Sequence, residues 1–121
     1  VNKISFILNT YQDYLDATDY FAGFQVNTWG GKGEHALFGD VARGSINKRT
    51  ALEFLEAHHQ LDPNYTIAMG DAKVDIPMLE YAAVGVAVGN GGEEIKAMAD
   101  YVTDAVSDDG LYNAFKHFGL I

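Results

Sequence analysis

The sequence predicts an α/β chain made of two unlike parts. Two short continuous apolar runs, "YTIAM" and "VGVAV", have the texture of parallel strands buried on both faces. From about residue 44 onward, helix-like and strand-like segments alternate, which is the pattern of a parallel sheet covered by helices. Residues 1 to about 43 read instead as a strand, a helix and an antiparallel pair.

In the first part, "KISFILN" (Lys3 to Asn9) is short, apolar and β-branched at Ile4 and Ile7, as a strand should be. "YQDYLDATDYFAG" (Tyr11 to Gly23) reads as a helix stopped by Gly23, and "FQVNTW" (Phe24 to Trp29) alternates like a strand. "GGKG" (Gly30 to Gly33) is a turn, with "EHALFGDV" (Glu34 to Val41) returning as its hairpin partner. Trp29, Tyr11, Tyr14 and Tyr20 are expected to build the core of this part.

The second part opens with "ARGSINKRTALEFLEAHHQL" (Ala42 to Leu61), whose Ala51, Leu52, Leu55 and His59 share one helical face. After the "YTIAM" strand, "IPMLEYAA" (Ile76 to Ala83) is a short helix with Pro77 in its first turn, where proline is tolerated. "VGVAV" (Val84 to Val88), "GEEIKAMA" (Gly92 to Ala99), "DYVT" (Asp100 to Thr103) and "LYNAFKHFG" (Leu111 to Gly119) continue as strand, helix, minimal strand and helix. Three strands make a narrow sheet, and apolar strands of this kind call for neighbours on both edges, so this half is expected to be missing strands.

Composition narrows the function. The 121 residues hold 17 acids against 8 bases, a net charge of -9, which argues against a nucleic acid or an anionic membrane as partner. There is no cysteine, which removes disulfides, thiol catalysis and cysteine-based zinc sites and suits a reducing cytoplasm, the expected location. No apolar run approaches the roughly 20 residues of a membrane span, and the start "VNKISFILNT" lacks the shape of a signal peptide. The first residue is Val, which leaves open a removed Met or a piece of something longer.

Ligand sites of open parallel sheets lie beyond the carboxyl ends of the strands. Asp71 follows "YTIAMG" there, Asp75 lies four residues on, and Asn90 in "GNGG" follows "VGVAV". Two carboxylates so placed repel each other, and an Mg2+ ion, which favours oxygen ligands, would relieve them. The plainer alternatives are an N-cap role for Asp75 and a side-chain turn for Asp71. Lys48 sits near a helix start, where the dipole disfavours a cation; it either offsets a nearby negative cluster or is a solvated lysine. Arg43, Arg49 and Lys73 read as surface residues, and Asp108 and Asp109 as a loop leading into a helix. "GNGG" reads as a turn rather than a phosphate cradle, because Glu93 and Glu94 follow at once. The four histidines show no zinc-ligand pattern.

Taken in order, "GSINKRTALEFL", "AMGDAKVDIPMLEYA", "VGVAVGNGGEEIKAMADYVT" and "DDGLYNAF" resemble the C-terminal part of a haloacid dehalogenase superfamily hydrolase, nearest to the Cof-type, subclass IIB sugar-phosphate phosphatases. The resemblance covers about 40 to 121 well and the first part loosely. It implies a partial Rossmann-like parallel sheet with covering helices, residues 44–121 being the C-terminal half of the hydrolase core and 1–43 the last portion of an α/β cap. It implies Asp71 as a direct Mg2+ ligand and Asp75 as an outer-shell or secondary metal partner. Lys48 would steady the nucleophile and the phosphoryl oxygens, and Asn90 would lie near the substrate.

Two departures stand out. Val74 occupies a place where the family often has Asn. No Asp-x-Asp occurs anywhere in the chain, although the family's reaction needs one, with one aspartate attacking phosphorus and the other acting as acid and base. The implied reading is a C-terminal fragment of an Mg2+-dependent phosphohydrolase acting on a small phosphate ester, a sugar phosphate for preference, inactive by itself and prone to self-association or to pairing with its missing N-terminal piece. The alternative is a non-catalytic binding or regulatory module that kept the rim without the nucleophile. A phosphoacceptor receiver domain fits less well, because its lysine follows its acid pair and Lys48 precedes this one.

Overall fold

The computed structural model describes residues 3–28 and 38–121. The chain divides into two compact units, Val1–Asn47 and Lys48–Ile121. The "GGKG" turn, Trp29 and most of the expected return strand lie outside the described residues.

The first unit holds β1 (Lys3–Ile7), α1 (Tyr11–Tyr20), β2 (Gln25–Thr28) and β3 (Phe38–Ala42), with the strands in the antiparallel order β1-β3-β2. Register places Ile4, Val41 and Val26 side by side on one face, and Phe6 beside Gly39. Gly39 is needed there, since a Cβ would lie 2.6 Å from the Phe6 ring. The other face carries Ser5, Asp40 and Asn27; Asp40 is buried and held by Lys3 at 2.9 Å and by the Asn27 amide at 2.9 Å. Helix α1 begins at a capping box, in which Asp13 N–H donates to Thr10 Oγ1 (3.3 Å) and the Asp13 carboxylate accepts from Thr10 N–H (3.0 Å). The tyrosines do not form the expected core. No residue of α1 is fully buried and Tyr20 is 83% exposed, while Leu8 and Val41 are the buried apolar positions.

The second unit runs α2 (Lys48–His59), β4 (Ile67–Gly70), α3 (Ile76–Tyr81), β5 (Val84–Ala87), α4 (Glu93–Met98), β6 (Tyr101–Val102) and α5 (Gly110–His117). Its sheet is parallel, ordered β4-β5-β6, with Ile67 opposite Val84 and Val86 opposite Tyr101. β5 is central, so Val86 and Ala87 are fully buried. Ala68, Leu79, Ala87 and Ile95 form the core between sheet and helices. Gly85 lets α3 pack close, because a Cβ there would meet the Leu79 carbonyl oxygen at 2.8 Å.

The expected apolar face of α2 is not its buried one. Leu55 is half-exposed and His59 exposed, whereas Glu56 is buried. The cause is polar: the Tyr81 hydroxyl of α3 donates to Glu56 Oε2 at 2.6 Å and draws that side of the helix inward. Among the described residues no helix is long and apolar enough to cross a membrane.

Candidate active site

All three parallel strands end at one rim, where their carboxyl ends feed the loops Asp71–Asp75, Gly89–Gly92 and Thr103–Asp109. Ligands of open parallel sheets bind at such a rim.

The first loop is shaped by one carboxylate. Asp75 ends a short 3-10 turn, Lys73–Asp75, and folds back over the loop it closes. Its Oδ2 accepts from the Asp71 N–H at 3.2 Å and the Ala72 N–H at 3.1 Å, and its Oδ1 accepts from the Lys48 ammonium. Asp75 is only 2% exposed, whereas the Lys48 side chain is 55% exposed. Burial pushes the Asp75 carboxyl up, but the Lys48 hydrogen bond and the two backbone amides outweigh it, leaving it below the usual carboxylate range. Gly70 makes room for this arrangement, since a Cβ there would sit 2.5 Å from the Asp75 Cβ. Asp75 occupies the N-cap position of α3 without a side-chain bond into that helix, so the simple capping role is not the one it takes.

Asp71 lies at the exposed tip of the same loop. The Asn90 side-chain amide reaches its Oδ2 at 3.4 Å, joining the loops that follow β4 and β5. Gly91 brings these loops together, since a Cβ on it would lie 3.0 Å from the Asp71 carbonyl oxygen. Of the four residues marked in the sequence, Lys48 therefore meets Asp75 and Asn90 meets Asp71. Among the described residues no group of three or more His, Asp or Glu side chains is arranged to hold a metal ion.

The neighbours behave as surface groups. Lys73 pairs with Glu94 at 3.0 Å with both side chains mostly exposed, and Arg49 pairs with Glu53 at 2.8 Å while lying 5.0 Å over the Tyr81 ring. His58 stacks on Phe54 and His117 on Tyr101. The sequence reading gives the stretch after β6 as a loop and helix entry but not its contact with Asn90. There the Val106 N–H donates to Asn90 Oδ1 at 2.9 Å, Thr103 donates to the Gly110 carbonyl at 2.7 Å, and Asn113 donates to Asp104 at 2.9 Å. "DDG" was visible there, but a backbone donor leaves no mark in the sequence.

Comparison with known proteins identifies the family and the fold. A family model described as haloacid dehalogenase-like hydrolase matches residues 1–115. The 5-amino-6-(5-phospho-D-ribitylamino)uracil phosphatase YcsE of Bacillus subtilis is 39% identical over 75 residues, covering 62% of this chain and 30% of that protein. A phosphoglycolate phosphatase of Methanosarcina acetivorans is 42% identical over 71 residues, covering 59% of this chain and 31% of that protein. Among solved structures, the HAD-superfamily phosphatase BT1666 from Bacteroides thetaiotaomicron superposes with a TM-score of 0.83 at 34% identity, covering 99% of this chain and 42% of the other. The subclass IIB sugar phosphatase BT4131 does so with a TM-score of 0.80 at 32% identity, covering 100% of this chain and 44% of the other. The chain thus spans less than half the length of these relatives. An α/β fold with its ion-paired loop at the end of the first parallel strand, and a family match over nearly the whole length, place this chain in the haloacid dehalogenase-like hydrolase family.

Proposed function

We propose that the chain is the C-terminal part of an Mg2+-dependent phosphohydrolase that cleaves a small phosphate ester, with a sugar phosphate as the favoured class. The observation that carries this is the Asp75 carboxylate, which ties Lys48 to the loop presenting Asp71. Residues 44–121 would form the second half of the hydrolase core and residues 1–43 the end of a cap. The sugar-phosphate class is drawn from the likeness to a sugar phosphatase.

The donor chemistry suits Mg2+, which takes oxygen ligands, commonly one or two carboxylates, and keeps several waters. Asp71 offers an exposed carboxylate; Asp75 already accepts three hydrogen bonds and would act from outside the inner shell. When bound, the ion would offset the negative charge of the phosphoryl oxygens. Among the described residues the Lys48 ammonium donates to Asp75, and it is half exposed, so it has donors left for a phosphoryl oxygen or for the nucleophile. Asn90 lies at the same rim, bonded to Asp71, and would face an ester held there. The nucleophilic aspartate would come from sequence upstream of Val1, since the chain has no Asp-x-Asp.

The experiment is phosphate release from an aryl phosphate, with Mg2+ and with chelator, by this chain and by a version extended upstream in its own gene. Mg2+-dependent release by the extended form alone is the expected result. Release by this chain alone would overturn the reading of a missing nucleophile. Release by neither would favour the non-catalytic module, which Val74, apolar and 56% exposed on the metal loop, mildly supports.

A further inference from the structure

We propose that Asn90 is a positioning residue for Asp71, and that the loop after β6 orients it. The inference rests on the reading of Asp71 as the metal-binding carboxylate. Polarity carries it. The Val106 N–H can only donate, and the side-chain atom it meets at 2.9 Å is therefore the Asn90 oxygen. The Asn90 amide nitrogen then has to face the other way, where it meets Asp71 Oδ2 at 3.4 Å. A rotated amide would set donor against donor at Val106 and acceptor against acceptor at Asp71.

The brace behind Asn90 is continuous. Gly89 N–H donates to the Asp104 carbonyl at 3.0 Å, so the loops after β5 and β6 are pinned beside Asn90. The second of these loops is closed on itself by Gly110 N–H to the Ala105 carbonyl (3.0 Å) and by the buried Thr103 hydroxyl to the Gly110 carbonyl (2.7 Å). Asn113 in α5 holds Asp104 at 2.9 Å. A line of hydrogen bonds thus runs from the first turn of α5 to the carboxylate at the end of β4. It gives the Thr103–Gly110 segment a positioning task in the site.

Val106→Pro tests this remotely. It deletes only the donor, because Val106 opens a 3-10 turn, where proline is accepted, and Ala105 before it already has φ -64 and ψ 158. Asn90→Leu removes both side-chain bonds and serves as the second variant. The readout is Mn2+ binding to the full-length protein by electron paramagnetic resonance, with KM and kcat measured at saturating metal. Both variants should weaken Mn2+ binding about three- to tenfold, the range of one net hydrogen bond, and in Val106→Pro, which leaves the Asn90 side chain in place, KM for the ester should change less than about twofold. Wild-type-like Mn2+ affinity in both variants would overturn the inference and leave the metal reading of Asp71 standing. No Mn2+ binding by the wild type would overturn both.

Discussion

Replacing Asp75 with Asn keeps the shape of the side chain and removes its charge. Three donors converge on this carboxylate: the Lys48 ammonium and the Asp71 and Ala72 amides. An Asn side chain has a single acceptor oxygen, and its NH2 can only donate, so one side of the cluster must face donor with donor. A hydrogen bond to a charged group contributes about 1.5–3 kcal/mol. The Lys48 side chain is 55% exposed and regains water when released, which cuts its share to the roughly 0–1 kcal/mol of an exposed pair. Asp71 and Ala72 are exposed too, so their amides recover part of their bonding from solvent. The expected loss is about 2 kcal/mol at neutral pH.

The pH dependence provides the internal control. Asp75 has a lowered carboxyl pKa in the folded state. Its contribution is therefore complete above the unfolded value of about 3.9 and is lost as pH falls through the lower folded value. In urea unfolding, the gap between wild type and Asp75→Asn should be full at neutral pH and should close as the solution is taken below about pH 4. A gap under about 0.5 kcal/mol at neutral pH, or one that persists unchanged in acid, would refute the picture of a charged carboxylate organising this loop.

Gly70→Ala drives a methyl group into Asp75 and should cost about 1–3 kcal/mol, read as a lower midpoint in thermal unfolding. Glu56→Met removes a buried carboxylate whose Oε1 has no partner among the described residues; stability should stay level or rise by up to about 2 kcal/mol. Tyr81→Phe leaves that carboxylate without its donor and should instead lose about 1–3 kcal/mol in the same urea assay, with the double variant closer to Glu56→Met. In the upstream-extended protein, Lys48→Met should lower kcat at least about 100-fold, as expected when a donor to developing charge is lost. Among the described residues β4 is an edge strand, which should make the 121-residue chain self-associate, and a monodisperse monomer by light scattering would count against that.

The second unit was legible because its signals are local. "YTIAM" and "VGVAV" announce buried parallel strands, Pro77 marks the first turn of α3, and strand order follows from short connections between sequential elements. Asp71, Asp75 and Lys48 could be marked as candidates from position alone. Their division of labour could not, because it depends on Asp75 turning back to meet Lys48, 27 residues away. Glu56 misled for a similar reason: periodicity favours Leu55, and only the Tyr81 hydroxyl makes the acid the inward residue. In the first unit the tyrosines looked like core because they are aromatic, yet α1 presents Tyr20 to solvent and leaves Leu8 and Val41 as the buried contacts.

The parallel sheet also gives the second unit a polarity useful at the bench. Every loop of the candidate site leaves the carboxyl ends of β4, β5 and β6, so the amino ends of the same strands mark the far side. Tyr65 lies there, just before β4, and is 88% exposed. Because the chain has no cysteine, Tyr65→Cys would create its sole thiol. A dye or a surface tether attached at that point would sit about a strand length from Asp71, roughly 15 Å or more. Immobilised in that way, the molecule would turn its candidate site toward the solution, an orientation suited to screening phosphate esters by surface binding.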